Sequence, residues 1–322
     1  MSKPKVTVVI TVKNSKDTIK ACVESVLKNK YPKQVIVIDA FSSDGTYEIL
    51  KQIKGIKLLQ LKSNAAEAFN HGIKMAKTPI VALTDADCVV EKDWLKNLVE
   101  KIKGDYVAAA GYCTTPKGMK GLSKAIGYSF DERYDIDADE VLRAPTMNLA
   151  FKTDIGKKVL FDESLPIAFE TDFCFNLLKF GKMKYVKGAV VYHHHRATWG
   201  GFWKQQKNYG KYGMLVYLRH PRRVSGDHIS LRRFFFEVGL FYLMVATFIL
   251  GLFFSEFLLL SVTSFAGILI MFGYETLKLM PENPFTFILM QAVRLVAWCW
   301  GGVEGFIHFL GSKLPRCGKS ST

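Results

Sequence analysis

Thr84-Asp85-Ala86-Asp87-Cys88 is the stretch whose residue types and spacing are best suited to chemistry. Two aspartates one residue apart can direct carboxylate oxygens at one hard divalent cation, Mg²⁺ or Mn²⁺, and such a cation neutralises the charge of a diphosphate. The run before them, Ile80-Val81-Ala82-Leu83, reads as a buried parallel strand. The pair therefore falls at a strand's C-terminal end, where open α/β sheets bind ligands. Turns after strands also collect aspartate for ordinary capping reasons, so neighbours must give the pair its meaning.

A second cluster, His193-His194-His195-Arg196, follows Val190-Val191-Tyr192 and invites a zinc reading. Side chains on an extended chain alternate between faces, so three adjacent histidines cannot readily converge on one ion. Six cysteines at 22, 88, 113, 174, 299 and 317 form no Cys-x-x-Cys pair and no zinc-like spacing. They read as buried free thiols in a reducing compartment.

The elements that must hold these groups are legible upstream. Val6 to Val12 is β-branched and apolar, ends at Lys13-Asn14-Ser15, and is too short for the apolar core of a signal peptide. That part of the chain is expected in the cytoplasm. Residues 16 to 29 carry Ile19, Cys22, Val23, Val26 and Leu27 at helical spacing. Gln34 to Asp39 is a second strand, and Ser42-Ser43-Asp44-Gly45-Thr46 a turn and cap into a helix near 47 to 54. Asp39 can accept from N–H groups of a nucleotide base or simply form the turn; Asp44 reads as a cap. Lys57 to Leu61 makes a third strand, Ala65 to Ala76 a helix, and Pro79 resets the chain before Asp85. No Gly-x-Gly-x-x-Gly occurs at these turns, which argues against a dehydrogenase-type dinucleotide fold. Gly318-Lys319-Ser320 imitates part of a phosphate loop but lacks the upstream glycine and a following helix.

Four of these segments together, Val6 to Asn14, Val37 to Thr46, Asn64 through Gly72 and Thr84-Asp85-Ala86-Asp87, resemble in order and spacing the nucleotide-diphospho-sugar half of family 2 glycosyltransferases. The resemblance covers roughly residues 5 to 215 and implies an α/β fold of GT-A type, Rossmann-like with a mostly parallel central sheet. It implies that Thr11 and Asp39 line the nucleotide pocket, that Asp85 sits by the ribose and diphosphate, and that Asp87, with Asp85, holds the metal. Ala40, Phe41 and Phe69 depart from the family, which often has an acid, a glycine and a basic residue there.

On the acceptor side, Pro145 to Phe151, with Asn148, resembles the family's corresponding segment. Phe169-Glu170-Thr171-Asp172 resembles its Glu-Asp-x-Asp motif with the first acid missing. Glu170 then takes the position of the base, with Asp172 in support. A sugar hydroxyl is a poor nucleophile until a carboxylate takes its proton, and a single displacement of this kind inverts the anomeric carbon. The same two acids also suit the first turn of a helix expected over 171 to 180. His193 matches a family histidine that meets diphosphate or metal, and Arg196 is a second candidate for the diphosphate. Gln205, Asn208 and Tyr209 are a faint match to the Gln-x-x-Arg-Trp signature of processive synthases; the lost arginine and tryptophan argue against a processive enzyme.

The rest of the 322-residue chain differs in kind. Hydrophobic content is 49% with a mean hydropathy of +0.11, and the apolar excess lies after residue 233. A formal charge of +15 beside apolar segments points to the anionic face of a membrane and away from nucleic acid. Lys204 to Arg233 holds eight Lys or Arg against one Asp. Phe234 to Phe254 is long enough to span, and Phe257 to Tyr274 returns after a tight Ser255-Glu256 turn. Phe285 to Leu310 contains Arg294 and Glu304. Its length favours a third span, yet a span would carry Lys313, Arg316 and Lys319 across the membrane against the positive-inside rule; an interfacial helix would not. Arg294 is a helix-packing charge or a partner for a lipid phosphate.

The expected division is a cytoplasmic GT-A domain over 1–230, with a donor half at 1–115 and an acceptor half at 116–230, and a multi-pass membrane region at 231–322. The expected reaction is metal-dependent, inverting transfer from a nucleotide-diphosphate sugar to a hydroxyl of a lipid-linked glycan. A polyprenyl or dolichyl phosphate acceptor, already ionised, would need no base, so Glu170 favours the hydroxyl. A silent sugar-nucleotide-binding scaffold and a nucleotidyltransferase are the alternatives, the latter opposed by the poor match of Thr11-Val12-Lys13-Asn14 to a Gly-rich, Lys-containing loop.

Overall fold

A computed structural model describes residues 5–221 and 227–311. Arg222 and Arg223 of the basic run, Cys317 and the basic residues at 313, 316 and 319 lie outside them. The chain divides into two compact units, 1–195 with 227–229, and 196–226 with 230–322.

The first unit starts with alternating strands and helices: β1 (Val6–Val12), α1 (Ile19–Lys28), β2 (Lys33–Asp39), α2 (Thr46–Lys51), β3 (Lys57–Gln60), α3 (Ala65–Met75) and β4 (Ile80–Asp85). Then follow β5 (Cys88–Val90), α4 (Trp94–Val99), β6 (Tyr106–Thr114), α5 (Gly121–Tyr134), a 3₁₀ turn at Thr146–Asn148, β7 (Leu149–Lys152), α6 (Thr153–Val159), α7 (Phe169–Leu177) and β8 (Lys182–His193). All strands join one sheet of order β3-β2-β1-β4-β7-β6-β8-β5. The β3-β2-β1-β4 half is parallel, β7 runs antiparallel to both neighbours, β6 and β8 are parallel, and β5 closes the edge antiparallel to β8. The fold is a mixed α/β sheet of GT-A type.

β1 and β4 are buried along nearly their whole length, as a parallel strand covered by helices must be. Asn64 opens α3 with a capping box: its Oδ1 accepts from Glu67 N–H at 2.9 Å, and Glu67 Oε2 accepts from Asn64 N–H at 2.8 Å. α3 then lies so close to β1 that a Cβ at Gly72 would collide with Val9. Asn70 Nδ2 donates to Phe161 O and Glu163 Oε1, both at 2.9 Å, so α3 fixes the link between α6 and α7.

The second unit is helical: α8 (Trp199–Arg219), α9 (Arg232–Gly251), α10 (Glu256–Leu279) and α11 (Pro284–Gly311). The last three are long and apolar enough to cross a membrane. Ser261 Oγ donates to Met244 O at 3.1 Å, tying α10 to α9. Four charges are grouped where these helices meet: Arg233 to Glu275 at 3.0 Å, and Arg294 to Glu275 at 3.4 Å and Glu237 at 3.9 Å. Arg294 also stacks over the Phe234 ring at 5.2 Å. Arg294 is thus a packing charge among buried acids.

Candidate active site

Strand register builds the site. Thr11 lies opposite Asp85 and Val12 opposite Asp39, so three adjacent strands end together at one sheet edge. A cleft of about 210 Å³ opens there, lined by Thr11, Lys13, Ser15, Asp85, Asp87 and Thr146, with Phe69 and Phe169 as its apolar wall. The aromatic wall is continuous, with ring centroids 5.7 Å apart for Phe69 and Phe161 and 5.3 Å for Phe161 and Phe169.

Asp85 is gripped by Thr146, whose Oγ1 donates to its two carboxylate oxygens at 2.9 and 3.1 Å. Burial, then the negative charge of Asp87, push the Asp85 carboxyl up to about 7; the Thr146 bond and His193 oppose the rise, and Glu170 adds to it. Burial also raises the Glu170 carboxyl above its ordinary value, against the pull of a backbone hydrogen bond and Arg143.

Asp87 Oδ2 stands 3.5 Å from His193 Nε2. Asp87, Cys88 and His193 offer ligand atoms within 4.8 Å of one another. Two carboxylates that repel each other and an imidazole nitrogen facing one of them are a donor set that fits a divalent cation. The three histidines do not converge on one point: His193 and His195 share a side, with ring centroids 4.9 Å apart, and only His193 faces the Asp87 carboxylate. His194 N–H donates to Asp87 O at 3.0 Å, while His195 Nε2 lies 2.9 Å from Thr115 Oγ1 with its ring 4.7 Å from Phe130. Burial, then His193, push His195 down to about 3, so it is neutral near pH 7. Cys22, Cys88, Cys113, Cys174 and Cys299 are free and buried, and burial pushes the Cys88 thiol well up.

Asp39 is buried, and its two oxygens divide its two expected tasks. Oδ2 accepts from Ser42 N–H and Gln60 Nε2, each at 3.1 Å, which makes the turn. Oδ1 is buried and lacks a protein partner, which leaves an acceptor free. Asp44 accepts from Thr46 N–H at 3.0 Å and Lys16 N–H at 3.1 Å, joining the loops after β1 and β2. Phe41 stands in this loop at φ 54° and is 56% exposed. A left-handed backbone is costly for a bulky side chain, which explains why a glycine suits the position.

Asn148, Asp172 and Arg196 are not among the residues that line the cleft. Asn148 does not face the cleft: it is fully buried, its Oδ1 accepts from Trp94 Nε1 at 2.8 Å, and its Nδ2 donates to Tyr112 O at 3.0 Å and Ala189 O at 2.8 Å. All of its hydrogen-bonding atoms are engaged inside the protein, and it braces β6 and β8 beneath the site. Asp172 is buried within α7 and accepts from Asn176 Nδ2 at 3.0 Å, one turn on. Arg196 is exposed and opens the second unit.

Two positioning residues carry no sequence signal. Thr146 belongs to the acceptor-side segment, but only its contact with Asp85 reveals it. Arg143 is buried and makes a bidentate pair with Asp227 at 2.7 and 3.0 Å, while Nη1 donates to Thr171 Oγ1 at 3.0 Å. It thereby fixes the first turn of α7, where Glu170 stands.

The mixed sheet, with carboxylates at its rim, has the GT-A topology. Residues 7–161 match the sequence model of Glycosyl transferase family 2. Glycosyltransferase AglE of Haloferax volcanii is 28% identical over 261 residues, 72% of this chain and 78% of that protein. Poly-beta-1,6-N-acetyl-D-glucosamine synthase of Staphylococcus aureus is 29% identical over 231 residues, 66% of this chain, which spans 56% of the length of that relative. Among solved structures, the mannosyltransferase PcManGT from Pyrobaculum calidifontis, in complex with GDP-Man and Mn²⁺, superposes with a TM-score of 0.61 at 16% identity, covering 96% of this chain and 89% of that one. S. aureus TarS residues 1–349 superpose at 0.51 with 14% identity, covering 97% and 93%. The match to Glycosyl transferase family 2 thus covers 7–161, the part of the chain that supplies all but one of the residues lining the cleft.

Proposed function

We propose that the protein is a metal-dependent, inverting glycosyltransferase that moves a sugar from a nucleotide-diphosphate donor to a hydroxyl of a lipid-linked glycan. The observation that carries the proposal is that Asp85 and Asp87 line one cleft, with His193 Nε2 3.5 Å from Asp87 Oδ2. Asp85, Asp87 and His193 would hold Mg²⁺ or Mn²⁺, which when bound neutralises the diphosphate and stabilises the leaving nucleotide.

The chain's own groups supply the rest. The unpartnered Oδ1 of Asp39 accepts from the base of the nucleotide, and Thr11 and Lys13 line the donor's approach. Phe169 closes the cleft wall beside Glu170, which takes the proton of the acceptor hydroxyl as it attacks the anomeric carbon. Arg143 holds the helix turn that carries this carboxylate.

In this reading residues 1–195 with 227–229 form the catalytic part on the cytoplasmic face, and the helical unit, 196–226 with 230–322, anchors it. Phe234 onward leaves an apolar hairpin beside the basic run from Lys204 to Arg233, which suits a bilayer with anionic lipids. Purified protein in membrane lipids, given labelled nucleotide sugars with Mn²⁺ or Mg²⁺, should convert one donor to a lipid-extractable product. Asp87→Ala should lose metal-dependent donor binding. Donor binding with no turnover by the wild type under any donor would instead mark a silent scaffold.

A further inference from the structure

The apolar helices of the second unit are not equivalent. Of the most apolar window in α9 and in α10, 22% is buried, whereas in α11 the share is 50%. α8 accounts for much of the difference, because the two backbones touch. A Cβ at Gly210 would collide with the carbonyl of Trp298, one at Gly301 with that of Lys207, and one at Gly305 with that of Lys211. Lys207 Nζ lies 2.9 Å from Glu304 Oε1, which also accepts from Trp300 Nε1 at 2.8 Å. These contacts set α8 along the second half of α11.

α8 is too polar for hydrocarbon. Lys204, Gln205, Gln206, Lys207, Asn208 and Lys211 stand within its first thirteen residues. Only residues 220–231 join it to α9, so it lies on the side of the membrane where α9 begins. Whatever is zipped to α8 lies on that side too, and that includes the end of α11. α10 returns the chain to the same side at Leu279, and α11 starts there at Pro284.

The free face of α11 agrees. Leu289, Val296, Trp300, Val303, Ile307 and Leu310 are exposed, at intervals of three, four or seven, and so form one apolar stripe. An apolar stripe on a helix whose other flank is held by a lysine-bearing partner suits the boundary between headgroups and acyl chains.

We infer that α11 does not cross the bilayer: it lies along its surface, with α8, as a lipid-facing platform, and the chain crosses twice. This rests on the reading of α9 and α10 as a spanning hairpin. It also keeps Lys313, Arg316 and Lys319 on the side of Arg219, Arg232 and Arg233, in accord with the positive-inside rule.

The test is labelling of the full chain by a membrane-impermeant maleimide in sealed vesicles of both orientations. Cys317 is the reporter for the segment after α11; Phe253→Cys and Glu282→Cys, each with Cys317→Ser, report the hairpin tip and the α10–α11 link. Cys317 and position 282 should label from one side, and position 253 from the other. Labelling of Cys317 from the side opposite 282 would overturn the inference while leaving the hairpin intact. Labelling of 253 and 282 from one side would instead sink the spanning hairpin itself. Lys207→Cys with Glu304→Cys should form a disulfide on mild oxidation in membranes, and failure to do so in folded, donor-binding protein would refute the α8–α11 contact.

Discussion

Glu170 stands in the first turn of α7, where the helix dipole favours its ionised form, yet burial wins and its carboxyl is held above the ordinary glutamate value. A base must be ionised to accept a proton, so transfer should rise with pH along an acid limb set by this raised value. Glu170→Gln should lower turnover by about 10²–10⁴-fold and leave donor affinity unchanged, as read by single-turnover rates and by titration of the donor. Stability has the opposite slope. A carboxyl raised in the folded state keeps a proton that the unfolded chain releases, so the wild type loses stability as pH rises from the ordinary glutamate value through the folded one. The glutamine variant lacks that loss and should melt no lower than the wild type at neutral pH. Full turnover in Glu170→Gln would remove the base from the proposal. Sequence pattern could find Glu170 and the Asp85–Asp87 pair because acids at strand and helix ends form a motif. Thr146 and Arg143 were invisible, since a threonine and an arginine acquire their roles only from the carboxylates that folding brings to them.

At the scale of elements, the parallel half was legible because β1, β2 and β4 are runs of β-branched and apolar residues separated by turn formers. The other half was not. β5 has three residues, and β6, Tyr-Val-Ala-Ala-Ala-Gly-Tyr-Cys-Thr, is rich in alanine, which has little strand preference of its own. What holds these strands is long-range pairing, β5 to β8 and β6 to β7 and β8, with Asn148 tying β6 to β8. Asn148→Ala would leave the buried Trp94 N–H and two backbone carbonyls without their partner and should cost about 2–4 kcal/mol in urea or thermal unfolding. Donor affinity per folded molecule should be unchanged; unaltered stability with lost acceptor turnover would return Asn148 to the acceptor site. The helices have their own bracing in Arg294. Arg294→Leu leaves Glu237, buried at 1% exposure, without that cation and should lower stability in detergent by about 3–5 kcal/mol. Adding Glu237→Leu should recover part of the loss. A double variant no better than the single one would mean that the charges do not act as a pair.

For the whole molecule, what matters in the proposed reading is that one chain carries both a cleft for a sugar nucleotide and helices long and apolar enough to cross a membrane. The donor, a charged diphosphate, comes from water, whereas a lipid-linked acceptor is confined to the surface with the enzyme. Confinement replaces bulk concentration by surface density, just as tethering replaces it by effective concentration. Transfer by full-length protein in vesicles should therefore follow the mole fraction of acceptor in the membrane. Diluting a fixed total amount of acceptor with inert lipid should slow the reaction in proportion, while diluting the vesicles in buffer at constant donor should leave the rate per enzyme unchanged. A water-soluble acceptor with the same sugar but no lipid would reverse both dependences. Rates that track bulk acceptor and ignore surface dilution would mean that the helices serve only to locate the enzyme, and that the lipid-linked acceptor is wrong even if the metal site and Glu170 behave as expected.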